Sequence, residues 1–323
     1  MTHAVRIHRP GGPEALSWDE VRVGPPGPGE ARVRHTAIGL NFIDTYHRSG
    51  LYPLPLPAVL GSEGAGVVTE VGPDVTEVKA GDRVAYAGPV GAYSEERLVA
   101  AHRLVPLPDD VDDRVAAAAM LKGMTARYLL RKTHSVEAGE TILLHSAAGG
   151  VGLIAAQWAR SLGATVIGTV STDEKAELAR AAGCHHVVVT SREDLVQRVD
   201  EITGGVGVRV VYDSVGRETF EASLDCLAPL GLMVSFGNSS GPVPPFAPLL
   251  LSQKGSLFLT RPTLMAYTAR REDLLETAAD LFSVIRSGAV SVRIGATFPL
   301  REAAAAHREL EARRTTGSTV LVP

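Results

Sequence analysis

Hydrophobic positions along this 323-residue chain follow two different rhythms, and the change between them divides it. Through the first 122 residues, runs such as Val5-Arg6-Ile7 and Arg32-Val33-Arg34-His35-Thr36-Ala37-Ile38 alternate apolar with polar side chains. That period of two is the mark of half-buried strands. Dense Gly-Pro punctuation separates them, at Pro10-Gly11-Gly12-Pro13, at 24–29 and at Val71-Gly72-Pro73-Asp74. Short strands within 64–71 and 80–86 complete a compact, mainly β region that is partly barrel-like.

From Val115 a helical pattern leads into strictly alternating apolar runs and helices. Strands are expected at 141–145, 164–170, 186–189, 208–212, 233–236 and 256–260, with helices at 193–202 and 219–227 among those between them. Six strands joined by crossover helices predict a doubly wound parallel sheet, an α/β arrangement. After Arg261 the pattern changes again, to helices over 272–287 and 300–312 and a last strand at 319–322. The expected domains are therefore 1–122, 123–262 as a nucleotide-binding insert, and 263–323 returning to complete the first.

The insert opens with Thr141-Ile142-Leu143-Leu144-His145-Ser146 and then Ala147-Ala148-Gly149-Gly150-Val151-Gly152, followed by helix-patterned sequence to Leu162. Small residues in such a turn let backbone N–H groups approach a pyrophosphate at a helix N-terminus. The spacing is Ala147-x-Gly149-x-x-Gly152, with alanine at the usual first glycine. A glycine triplet alone is weak; the strand before it and the helix and second apolar run after it make it a dinucleotide site.

The end of the second strand chooses the dinucleotide. An NAD site places a carboxylate there for the ribose hydroxyls. Here the strand ends in Gly168-Thr169-Val170-Ser171-Thr172, and Lys175 follows one turn later. Hydroxyls and an ammonium suit the 2′-phosphate of NADPH, so Ser171 and Lys175 are its expected ligands. Asp173 and Glu174 count against this, although acids are at home in a first helical turn. Lysine is scarce, five of 32 basic residues, which separates Lys175 from an ordinary solvated helix position.

Composition narrows the class. A net charge of −4 argues against nucleic acid or anionic membrane as a partner. No apolar run reaches about 18 residues and no basic-then-apolar leader is present, so a cytoplasmic protein is expected. Cys184 and Cys226 are too few for a disulfide scaffold, and both fall on apolar parts of the insert. Histidines 35, 102, 145, 185 and 186 show no metal spacing, and Arg270-Arg271 and Arg313-Arg314 read as solvated helix ends.

The stretches Gly39-Leu40-Asn41-Phe42-Ile43-Asp44-Thr45-Tyr46, Arg48-Ser49-Gly50-Leu51-Tyr52-Pro53 and Leu121-Lys122-Gly123-Met124-Thr125 are distinctive. So are the glycine-rich turn, Val211-Tyr212-Asp213-Ser214-Val215-Gly216, 235–241 and Thr260-Arg261-Pro262. With them the whole chain resembles the medium-chain dehydrogenase/reductase superfamily, in its ζ-crystallin-like, bacterial NADPH:quinone oxidoreductase branch. The resemblance implies a Rossmann domain inserted in a GroES-like catalytic domain. It places Asn41, Asp44 and Tyr46 near the nicotinamide with Tyr52 at the mouth of the cleft. It further assigns Gly123, Met124, Thr125, Ser214, Val215, Phe236, Gly237, Asn238, Leu259, Thr260, Arg261 and Arg313 to the cofactor. Relatives carry tyrosine where this chain has Thr190 beside the adenosine phosphate, and Arg192 is the nearby residue that would compensate.

Zinc members of that superfamily need thiolate and imidazole ligands. No cysteine precedes Cys184, Ser62 stands where they have histidine, and Asn41 lies where their first cysteine falls. No metal is therefore expected. Without a Lewis acid an alcohol is a poor substrate, whereas a quinone or an enone accepts hydride readily. Asn41 is expected to bond the ribose or a substrate carbonyl and Tyr46 to donate to a developing oxyanion. The plainer alternatives are a helix cap for Asp44 and edge packing for Tyr46 and Tyr52. NADPH-dependent quinone reduction leads, followed by alkenal or enone reduction, then by a non-catalytic NADPH-binding ζ-crystallin-like role. The apolar Leu257-Phe258-Leu259 on the last sheet strand predicts a homodimer through an open edge.

Overall fold

A computed structural model describes residues 1–323. The chain forms two compact units: Met1–Met124 with Thr268–Arg286 and Val292–Pro323, and Thr125–Tyr267 with Ser287–Ser291. The division falls at Met124, inside the helix Asp113–Tyr128, and at Tyr267, where the helix Leu264–Tyr267 ends, a few residues beyond the expected 122 and 262.

The first unit contains β1 (Thr2–Ile7), β2 (Leu16–Val21), β3 (Glu30–Leu40), α1 (Phe42–Ser49), β4 (Ala58–Val59), β5 (Glu63–Val71), β6 (Arg83–Ala87), β7 (Glu96–Ala100) and β8 (Val105–Pro106). Helix α2 (Asp113–Tyr128) crosses into the second unit. Strand β3 shows why the alternation was legible. Ala31, Val33, His35 and Ala37 point into the core, while Arg34 and Thr36 between them are exposed. It pairs antiparallel with β5 and β7, and the core beneath gathers Val33, Ile38, Leu60, Tyr86 and Tyr93.

The second unit holds β9 (Thr141–Leu144), α3 (Gly150–Ser161), β10 (Thr165–Val170), α4 (Asp173–Ala181), β11 (His186–Val189), α5 (Leu195–Thr203), β12 (Val208–Asp213), α6 (Phe220–Asp225), β13 (Leu227–Ser235), α7 (Leu249–Gln253), β14 (Phe258–Thr260) and α8 (Leu264–Tyr267). Its six strands lie in the order β11-β10-β9-β12-β13-β14, all parallel. The inner strands are apolar because both faces are covered, and Leu143, Ile167, Val188, Val211 and Met233 form the core under one face. Loops following the strands' carboxyl ends therefore gather at one side of the sheet, where open α/β sheets bind ligands.

The first unit is completed by α9 (Arg271–Arg286), β15 (Ile294–Pro299), α10 (Ala303–Glu311) and β16 (Ser318–Val322), the last pairing antiparallel with β3. Two expectations are corrected. Residues 219–227 split, because Leu227 already starts β13. The last sheet strand is only Phe258–Thr260: Ser256 has φ +56°, and Leu257 turns into the core instead of lying on the edge.

Candidate functional site

The candidate residues fall into two groups, one in each unit. In the second unit the glycine-rich turn grows out of β9. Ser146 adopts φ +54°, a conformation strained for a residue with a side chain, and from it the chain swings into α3. Ala147 N–H donates to Thr169 O at 2.9 Å and Gly149 N–H to Ser146 O at 2.9 Å, which ties the turn to β10. A Cβ on Gly152 would stand 2.3 Å from Ser146 O and 2.7 Å from Ala147 Cα, so only glycine allows this approach. Gly149 caps α3 and brings no side chain to its first turn. Backbone N–H groups of Gly150, Val151 and Gly152 are thereby kept for an anion, as a dinucleotide pyrophosphate needs.

At the end of β10, Lys175 Nζ lies 3.5 Å from Ser171 Oγ, bringing together the two expected phosphate ligands. The Thr172 hydroxyl caps α4 by accepting from Lys175 N–H. Thr190 is exposed and donates to Val170 O at 3.2 Å. Arg192 does not stand free beside it: it pairs with Asp173 at 2.8 Å, and so offsets the charge of an acid in the first turn of α4. No carboxylate ends β10, and the donor set fits a 2′-phosphate.

Ser214 and Val215 follow β12, and Phe236, Gly237 and Asn238 follow β13. The two loops touch, since a Cβ on Gly237 would be 2.4 Å from Ser214 O. Buried Asp213 shapes the first of them, accepting from Val215 N–H at 2.6 Å, Gly216 N–H at 3.1 Å and the Thr219 hydroxyl at 2.8 Å. Leu259 and Thr260 end β14, and Arg261 donates to Ser235 O at 3.0 Å. Thr125 is buried in α2.

In the first unit, Asn41 caps α1 and Asp44 is the third residue of that helix. Asp44 is fully buried. Its carboxylate accepts from Asn41 N–H at 2.9 Å, the Ser62 hydroxyl at 2.7 Å and the Tyr93 hydroxyl at 2.9 Å. Burial pushes its pKa up to about 6 against these hydrogen bonds. With its oxygens so engaged, Asp44 is a positioning residue of α1. Asn41 Nδ2 donates to Glu63 Oε1 at 2.9 Å, and Glu63 is paired in turn with Lys122. One hydrogen of the Asn41 NH2 group is thus engaged by a buried carboxylate, which bears on the expected contact of Asn41 with the ribose or a substrate carbonyl.

Behind Asp44 the hydrogen-bond chain continues. His307 Nε2 lies 3.0 Å from Tyr93 Oη and its Nδ1 2.9 Å from Arg48 Nη1. Arginine can only donate, so Nδ1 accepts, Nε2 carries the proton and gives it to Tyr93, whose own proton goes to Asp44. Burial, helped by the Arg48 charge, lowers the His307 pKa to about 3, which keeps the ring neutral. Arg48 also pairs with Glu311 at 2.5 Å.

Tyr46 and Tyr52 pack edge to face with centroids 5.3 Å apart, and Tyr52 N–H donates to Tyr46 O at 3.0 Å. Tyr46 is 9% exposed and Tyr52 half-buried. Gly123 packs under Leu281 of α9, Met124 is buried, and Arg313 is exposed at φ +58° after α10. The sequence pattern gave no role to Glu63, Lys122, Tyr93 or His307. The one signal was compositional, a lysine in an apolar helix of a lysine-poor chain.

Zinc does not fit here. The two positions that would supply it carry an amide and a hydroxyl, both already hydrogen-bonded to carboxylates, and no group of three His, Cys, Asp or Glu is gathered anywhere. No helix is long and apolar enough to cross a membrane.

Comparison with known proteins extends over the whole chain. Residues 27–109 match the alcohol dehydrogenase GroES-like domain family and residues 150–284 the zinc-binding dehydrogenase family. The chain is 57% identical to a quinone oxidoreductase of Pseudomonas aeruginosa, over 100% of each protein. It is 52% identical to a 2-haloacrylate reductase of Burkholderia, over 100% of this chain and 99% of the other. The crystal structure of Escherichia coli quinone oxidoreductase complexed with NADPH superposes with a TM-score of 0.98 at 52% identity, covering 99% of this chain and 100% of that one.

Proposed function

The chain belongs to the quinone oxidoreductase family, and we propose that it is an NADPH-dependent, zinc-independent reductase acting on quinones. The carrying observation is the full-length identity to quinone oxidoreductases, joined to a turn and a phosphate pocket that fit NADPH. Bound NADPH supplies the hydride. The 147–152 turn and the N-terminus of α3 hold the pyrophosphate, and Ser171 with Lys175 holds the 2′-phosphate. Asp213 orders the Ser214-Val215 loop, and Thr125, Phe236, Gly237, Asn238, Leu259, Thr260 and Arg261 are assigned to further cofactor contacts. Tyr46 and Tyr52 form the aromatic wall against a flat acceptor, and the Tyr46 hydroxyl is the donor to oxygen charge developing on it. The free buried thiols Cys184 and Cys226 suit a reducing compartment, which supports the cytoplasm.

The decisive experiment follows NADPH and NADH oxidation at the nicotinamide band with 1,4-benzoquinone, 2-alkenals, cyclohexenone and 2-haloacrylate. Fastest turnover with the quinone is expected. The haloacrylate reductase relative favours a second reading, enone or haloacrylate reduction, and faster turnover of those acceptors would replace the first. NADPH binding without turnover of any acceptor would leave only a binding protein.

The assembly proposed is a homodimer through β14. That strand ends the sheet, with Phe258 61% and Leu259 36% exposed, and two such edges pair about a two-fold axis. Sedimentation at low micromolar concentration should give twice the 34.0 kDa chain mass, and Phe258→Lys should shift it toward monomer.

A further inference from the structure

We propose that Glu63, held by Lys122, is a positioning residue that turns the Asn41 amide so that Asn41 meets bound ligand only as an acceptor, for a hydroxyl. The orientation follows from the partners. Asn41 Nδ2 faces Glu63 Oε1 at 2.9 Å and Gly39 O at 3.4 Å, and both of those atoms can only accept. The NH2 group is therefore bound inward. The amide oxygen lies on the opposite side, by the first turn of α1, and a carbonyl oxygen has two lone pairs for that turn and a ligand to share.

Glu63 is built into place. It is fully buried, its other oxygen accepts from Leu121 N–H at 2.6 Å, and its charge is matched by Lys122. Strand β3 leaves room for it at Gly39, where a Cβ would lie 2.1 Å from Glu63 Oε1 and 2.2 Å from Ala117 O. A buried ion pair is a poor source of stability compared with an apolar pair of equal volume. A fixed charge that only accepts is, however, an effective way to forbid the flipped amide, because flipping would set two acceptors against each other.

The consequence is chemical selectivity. A quinone carbonyl has no proton to offer, so Asn41 does not hold the oxidised acceptor. Hydroxyls do fit: those of the NADPH riboses, or those of the hydroquinone product. The proposal rests on NADPH-dependent quinone reduction, and the test keeps the two apart.

Four proteins are compared with wild type: Asn41→Ala, the charge-free pair Glu63→Gln with Lys122→Met, all three changes together, and Glu63→Asp. The readouts are the NADPH Kd by fluorescence, the inhibition constant of 1,4-hydroquinone, and the KM for 1,4-benzoquinone. Asn41→Ala and the charge-free pair should each weaken one of the first two by about 5- to 30-fold, the size of one lost hydrogen bond. A change in Kd identifies the cofactor hydroxyl, a change in product inhibition the hydroquinone. The triple variant should be no worse than either parent, and Glu63→Asp, which keeps the carboxylate, should recover most of the loss. Additive losses in the triple variant, or a raised quinone KM in Asn41→Ala, would overturn the assignment. Should the charge-free pair fail to fold, Asn41→Ala with Glu63→Asp still decides it: no change in either constant refutes it. Wild type that binds NADPH poorly would instead defeat the functional reading.

Discussion

The nucleotide turn and the Asn41 cluster are built by opposite means. Between Ser146 and Gly152 the chain keeps its side chains small, which leaves backbone N–H groups bare at the start of α3. Around Asn41 it accumulates them: two buried carboxylates, a lysine, an arginine, a tyrosine and a neutral histidine, each answering another's hydrogen-bonding need. The first solution tolerates no added atoms. The second tolerates no lost charge or proton, because each missing partner leaves another stranded in a low-dielectric interior.

The largest effects should come from adding a side chain at one glycine in each place. Gly152→Val drives its Cβ into Ser146 O, at 2.3 Å in the unrelaxed backbone, and the contact is backbone on both sides. NADPH binding should fall by more than about 100-fold, with the melting temperature lowered, as overpacking costs ~1–3 kcal/mol or more. Gly39→Ala should damage the other site as severely, through Glu63 and Ala117 O. Calorimetry and NADPH titration of both variants check this. If Gly39→Ala kept wild-type stability, the Asn41 cluster would be looser than these distances imply.

The two regions also differ in how far the sequence disclosed them. The turn, its strand and its helix are contiguous, and the period change at 141–162 was enough to find them. Ser171 and Lys175 are four residues apart, across the start of α4. The Asn41 cluster joins Asn41 to Glu63 and Lys122, and Arg48 to His307 and Glu311 across 259 and 263 positions. No local spacing encodes that meeting. Asp44 was legible as a cap because capping is local; its Tyr93 and Ser62 partners were not. Leu257 was misplaced for the same reason, since its neighbours suggested an edge strand while Ser256 turned it inward.

A second test uses pH, to which the side-chain cluster should respond through its buried titratable groups. His307 titrates near 3 when folded and near its usual 6.5 when unfolded. Between those values the unfolded chain binds the proton, so stability falls as pH drops from about 6.5 toward 3. Buried His35, lowered to about 4, acts in the same direction. Asp44 acts oppositely: raised to about 6 from 3.8, it takes up its proton in the folded state first, and stability rises as pH falls from about 6 to 4. Arg48, Tyr93 and, beyond them, Glu311 are the charged or titratable groups facing His307. His307→Asn should therefore lower the melting temperature near neutral pH but flatten its fall between pH 6.5 and 4. An unchanged acid slope would take His307 out of the buried chain.

A third, smaller effect separates the cofactors. Lys175→Ala removes a charge-assisted hydrogen bond of ~1.5–3 kcal/mol, so NADPH should weaken by about 10- to 100-fold while NADH stays within about twofold. Equal losses for both would mean that the lysine does not reach the 2′-phosphate.

The smallest effect concerns Arg192, and it asks whether the nucleotide region is as independent of side-chain charge as its turn suggests. Arg192 and Asp173 are 57% and 74% exposed, and such pairs contribute only ~0.2–1 kcal/mol. Their importance is in the field at the phosphate pocket. Asp173 sits in the first turn of α4, two residues before Lys175, and unpaired it would repel a 2′-phosphate. Arg192→Ala should weaken NADPH by about two- to fivefold, leave NADH unchanged, and lose its effect at high salt, where exposed charges are screened. Adding Asp173→Asn to that variant should restore NADPH affinity, because the repelling charge goes with its partner. If Arg192→Ala weakened NADPH and Asp173→Asn failed to restore it, Arg192 would be contacting the phosphate directly, and the pocket would hold two cations rather than one.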